Sequence, residues 1–178
     1  MENTLHVIAI WLHILGVALF VGPQFFLAFA WAPAARGIKD QAVRVSLTRQ
    51  LTRKFGFLGG AGLVLIVAAG SYLISNWRSY YAQPDDIGFT DIRYGVLFIA
   101  KMSAFIVMLA VVGVHSFVIG PRLVERMEAQ LAGKASDEDV RKARVASMAV
   151  SIVGLALALA IMVLGVMMNT TNFSFQAT

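Results

Sequence analysis

An all-α, integral membrane four-helix bundle with both termini on the outer, periplasmic side is the fold class this sequence predicts, on three observations. Four apolar runs, at residues 5–32, 55–75, 94–119 and 145–168, each reach the ~20 residues a helix needs to cross a bilayer. The composition, 58% hydrophobic and 14% charged, with a mean hydropathy of +0.74, lies far from that of a soluble domain. The cations gather in two of the connections, and such an excess marks cytoplasmic loops. Residues 33–54 carry Arg36, Lys39, Arg44, Arg49, Arg53 and Lys54 against Asp40. Residues 120–144 carry Arg122, Arg126, Lys134, Arg141, Lys142 and Arg144, whereas residues 76–93 hold Arg78 and Arg93 with Asp85, Asp86 and Asp91. The expectation is one transmembrane domain over residues 1–178, multi-pass in the cell inner (cytoplasmic) membrane and without an internal repeat.

The first run is too long for a signal-peptide core and has Trp31-Ala32-Pro33 where a cleavage site would stand, so it reads as a retained helix. Ahead of the second run, Val43, Leu47 and Leu51 recur at four-residue spacing among basic residues, which predicts an interfacial amphipathic stretch entering the span. Within that run Gly56 and Gly60 form a small-xxx-small pair suited to close helix approach, inside the protein or in an oligomer through this glycine-rich helix. Trp77, Tyr80, Tyr81 and Tyr94 suggest an aromatic belt at the outer surface. Gly133 is placed to end an extension of the third helix, and Ser136-Asp137-Glu138-Asp139 resembles a capping box opening the fourth.

Lys101 is the one charge inside the third run, and an ammonium at such depth costs roughly 2.5 to 3.5 kcal/mol on insertion scales. With midpoints near Leu19, Leu65, Val107 and Leu157, His13 lies about 9 Å outward of centre, at the level of Lys101, Ser71, Tyr72 and Met162. That outer-half layer joins an imidazole, an ammonium, hydroxyls and a thioether. His6, His13, Phe20 and Gln24 share one side of the first helix, with Gly16 one turn from His13 leaving space for a bulky group. Lys101, Met108 and His115 form a seven-residue stripe on the third. His115 lies roughly 21 Å from His13 along the normal, which leaves it a second cofactor or a structural bond to a carbonyl near Gly120-Pro121-Arg122. For His6, His13 and Lys101 the structural alternatives are an interfacial position, a packed imidazole and an ammonium snorkelling outward.

These residues resemble a known family. His13, Phe20, Gly22 and Pro33, the basic entry from Arg49 to Phe55 leading to Gly70, and Tyr94-Gly95, Lys101, His115-Ser116-Phe117 and Pro121-Arg122-Leu123 are similar to the copper-resistance protein D (CopD) family of four-helix membrane proteins. The acidic residue that family often carries near the start of its fourth helix is missing around residues 147–151, which speaks against ion translocation. A more distant similarity, through the His of helix one and the Lys of helix three, is to the HemJ-type haem proteins that oxidise porphyrinogens. Their Pro-Arg-Leu-Phe segment is replaced here by Gly22-Pro23-Gln24-Phe25-Phe26.

Three function classes follow. The first is a b-type haem (haem b) protein moving electrons in the membrane, with His13 as axial ligand, Met162 or His6 as a second, and Lys101 or Arg93 as the cation for a propionate. In it the other ring nitrogen of His13 donates to Ser71, Tyr72 or a carbonyl. The second is copper binding or transport through His6, His13 and Met102, Met162, Met167 and Met168, disfavoured by a lysine beside a bound cation. The third is a non-catalytic membrane subunit, with HemJ-like chemistry as a further alternative. The lipid bilayer is the expected partner, with a quinone or redox protein in the haem reading. The charge of +5 sits in loops, which argues against nucleic acid, and the absence of cysteine excludes disulfides, thiolate metal sites and Cys-attached haem.

Overall fold

The computed structural model describes residues 2–81 and 86–177. Asp85 lies outside the described residues. The described residues form helices joined by short turns, with no strand and one isolated bridge, Ile92 to Ala177. Four helical stretches, Thr4–Arg36, Gln41–Ser75, Arg93–Leu131 and Asp137–Asn169, are long and apolar enough to cross a membrane, which makes this a multi-pass membrane protein. Their surfaces agree. Trp11, Ile14, Phe57, Val64, Ile106, Phe117 and Val166 are all exposed, the outward apolar face of a protein whose solvent is lipid.

The chain divides into two compact units, residues 2–81 with 127–135 and residues 86–126 with 136–177. In the first, helix α1 (Glu2–Phe25) passes through a π-helical turn (Phe26–Trp31) into the short α2 (Ala32–Arg36), and α3 (Gln41–Ser75) packs back along α1. Asp40 starts α3 by accepting from the backbone N–H groups of Ala42 and Val43 at 2.8 and 3.1 Å, so the helix begins well before its apolar run. Val43 and Leu47 are exposed on that extension.

The tight crossing of α1 and α3 is made by Gly16 and Gly62. A Cβ on Gly16 would lie 2.8 Å from the Gly62 carbonyl oxygen, and one on Gly62 would lie 2.7 Å from the Gly16 oxygen. Only glycine lets the two backbones touch there. Gly56 and Gly60, the pair singled out by spacing, have nothing within 4 Å of a built Cβ. Gly16 therefore leaves no space for a bulky group; α3 fills it. After α3 comes α4 (Trp77–Tyr81), whose Trp77 is buried under the Arg78 guanidinium at 5.2 Å rather than set in an exposed belt.

In the second unit, α5 (Arg93–Val114) runs through a π-helical turn (His115–Ile119) into α6 (Gly120–Leu131), whose residues from 127 on belong to the first unit, and α7 (Asp137–Asn169) packs back along α5 before the short α8 (Thr171–Ser174). Gly133 takes φ +70° just past α6, the left-handed position that stops a helix. Ser136 and Asp139 make the expected capping box, with Asp139 N–H donating to Ser136 Oγ at 3.2 Å and Ser136 N–H to Asp139 at 3.1 Å. Tyr94 is buried and stacked on Phe175 at 5.5 Å, again inside the protein instead of at a belt.

Both π-turns end just before a proline. Pro33 and Pro121 have no N–H and crowd the carbonyl four residues back, so a regular turn fails there. The residue before each proline donates five residues back instead, Ala32 to Leu27 and Gly120 to His115.

Candidate functional site

In the first unit the polar groups of the first helix meet α3 and α4. His13 is half-buried on α1, and its ring lies over Gly70 of α3, where a Cβ would stand 3.2 Å from Cε1 and 3.3 Å from Nδ1. Its Nδ1 is 3.1 Å from the Ile66 carbonyl oxygen. A carbonyl only accepts, so the neutral ring carries its proton on Nδ1 and its lone pair on Nε2. The carbonyl of Ile66, rather than Ser71 or Tyr72, thus orients the imidazole. Ser71 is exposed on α3, and the Tyr72 hydroxyl pairs with the Tyr80 hydroxyl at 2.9 Å.

Tyr80 links this pair to His6. The His6 and Tyr80 rings lie 3.6 Å apart between centroids, and His6 Nδ1 is buried without a hydrogen-bond partner among the described residues. His6, Tyr80 and Tyr72 form a continuous polar aromatic cluster at the loop end of the unit. Burial pushes the neighbouring Tyr81 phenol above its ordinary range, which keeps it neutral.

In the second unit Lys101 is half-buried on α5, and its Nζ lies 3.5 Å from where a Cβ on Gly165 of α7 would be. It has no hydrogen bond or ion pair among the described residues. Met162, one turn earlier on α7, is exposed. Arg93, a candidate for the propionate cation, is engaged otherwise: its guanidinium lies 5.0 Å over the Phe173 ring and its backbone N–H donates to the Gln176 carbonyl at 3.0 Å. His115 opens the second π-turn with Nε2 3.5 Å from Ser151 Oγ and Nδ1 buried without a partner among the described residues. Ser151, not a carbonyl near Gly120, is what its ring faces.

Sequence reasoning named Gly70 and Tyr80 for other reasons and missed Gly165 and Ile66. A carbonyl leaves no mark in a sequence, but the two polar residues share one: His13 precedes Pro33 by 20 residues and Lys101 precedes Pro121 by 20. Each hairpin thus presents a polar side chain to a glycine of its returning helix, with a π-turn and a proline at the same distance beyond. No three His, Asp or Glu side chains come together as a metal-holding group among the described residues.

No family model, curated protein or solved structure matches this chain. The likeness to CopD and HemJ proteins accordingly stands on the residues quoted for it. The arrangement around His13 can be judged on its own chemistry.

Proposed function

We propose that this protein is a haem b protein of the cytoplasmic membrane, both termini outside, that passes electrons to or from a membrane quinone or redox partner, with His13 as the iron ligand. The observation that supports the reading is the bond from His13 Nδ1 to the Ile66 carbonyl. Ligating histidines donate their second nitrogen in this way, which orients the ring and raises the basicity of the other nitrogen. Bound haem supplies a one-electron iron centre. The chain's own part is to hold the imidazole and to offer cations to acidic groups. Lys101, an ammonium without a counter-ion among the described residues, attracts an anionic group.

The test is the absorption spectrum of the detergent-purified protein, oxidised and dithionite-reduced, after expression with ample haem supply. A Soret band that disappears in His13→Ala and survives in His115→Ala is the expected result. A colourless protein with stoichiometric copper would overturn it in favour of copper binding or transport. A colourless, metal-free and stable protein would leave a non-catalytic membrane subunit, and porphyrinogen consumption would place it with HemJ-like oxidation.

A further inference from the structure

A cleft of about 400 Å³ opens where α5 passes through its π-turn into α6 beside the start of α7. Its polar wall is Arg122, Glu125 and Arg126 from α6 with Asp139 and Lys142 from α7, and its floor is Ile119, Ala143 and Ala146. Arg122 and Arg126 stand one helical turn apart on one face, and neither has a hydrogen bond or an ion pair within 4 Å among the described residues. Lys142 faces them from α7 and touches Glu138 at 3.5 Å, an exposed pair of small worth. Of the two carboxylates in the cleft, Asp139 is already bound into the capping box, accepting from Ser136 Oγ at 2.7 Å. Three cations against two acids leave a surplus of one positive charge.

The position matters as much as the charge. Apart from Lys101, residues 94–119 carry no charge, and Arg122 follows after Gly120-Pro121, so the cleft lies at the boundary between the apolar span and the charged extension. Headgroup phosphates lie at that boundary, and basic hollows between helices on this side of a membrane suit them. Two guanidiniums in register grip a phosphate through paired N–H groups, and an apolar floor below receives the glycerol and the first acyl carbons. We infer that this cleft binds the phosphodiester headgroup of a membrane phospholipid. Glu125 remains to accept a headgroup ammonium or hydroxyl.

The full-length protein in detergent is titrated with phosphatidylglycerol, phosphatidylethanolamine or free glycerol 3-phosphate, and the thermal midpoint is followed. Either phospholipid is expected to raise the midpoint, with the rise abolished in R122Q/R126Q and kept in R36Q/K39Q, which removes the same charge from an exposed linker. A rise that persists in R122Q/R126Q, is lost equally in R36Q/K39Q, or is absent from the wild type would overturn the assignment. So would an equal rise with glycerol 3-phosphate, which would make this a soluble-phosphate site. If R122Q/R126Q does not fold, R122K/R126K keeps the charge but not the paired geometry. Native mass spectrometry should then show at least about fivefold less retained phospholipid than wild type; equal retention would overturn the proposal.

Discussion

The crossing of α1 and α3 gives the sharpest stability prediction, through Gly16→Ala. The added methyl would lie 2.8 Å from the Gly62 oxygen and 2.9 Å from the Ile66 nitrogen, both backbone atoms that no rotamer change can move. Carbon meets its neighbours at about 3.5 Å, so the helix axes must part by roughly 0.5–1 Å, which forfeits a quarter to a half of the dispersion attraction along the contact. Overpacking of this kind costs about 1–3 kcal/mol, offset by about 0.5–1 kcal/mol for replacing glycine in a helix, and the net loss is about 0.5–2 kcal/mol. Gly62→Ala acts on the same crossing from the other side, so the double variant should cost less than the sum, because one separation relieves both clashes. Gly56→Ala and Gly60→Ala meet open space and should be neutral or stabilising. Thermal unfolding in mild detergent, followed by circular dichroism, measures all five. Equal midpoints for Gly16→Ala and Gly56→Ala, or strictly additive costs in the double variant, would refute the reasoning.

Gly70→Val places side-chain atoms where the His13 ring now lies at 3.2 Å and breaks its bond to Ile66, so the Soret band of the haem-loaded protein should shift or vanish while Gly60→Val leaves it unchanged. Ser136→Ala removes the acceptor for Asp139 N–H and should lower stability by ~1 kcal/mol, read as a drop in the unfolding midpoint without loss of the spans' helicity. Gly133→Ala forces a Cβ into φ +70° and should cost ~1–2 kcal/mol, whereas the same change at Gly113, a helical position with open space, should not.

The spans were legible because lipid imposes a simple rule, that about 20 apolar residues make a crossing helix, and the chain obeys it four times. Helix ends were legible where side chains announce them, as at Gly133 and Ser136, and α3 begins far ahead of its apolar run because Asp40 caps it. What could not be read was rotation about each helix axis. Small-xxx-small spacing says that a helix can be approached closely, not from which side, and so Gly56 and Gly60 drew attention that belonged to Gly16 and Gly62. Depth counting brought Met162 to the level of Lys101 but could not tell that its thioether is exposed. Nor could composition tell a surface tyrosine from Tyr94, which is packed against Phe175.

The π-turns also reset the phase of the helices that contain them. One extra residue in a turn rotates everything beyond it by about 100° relative to an unbroken α-helix. Counting in sevens from Lys101 through Met108 to His115 and on to Arg122 therefore crosses that extra residue. Even so, Lys101 lies against Gly165, His115 against Ser151 and Arg122 beside Lys142, so polar groups on both sides of the turn are presented to α7. In a chain free of cysteine, single-cysteine labelling along 96–130 would show the extra residue directly as one accessibility period up to Val114 and the same period, displaced by one residue, after Ile119.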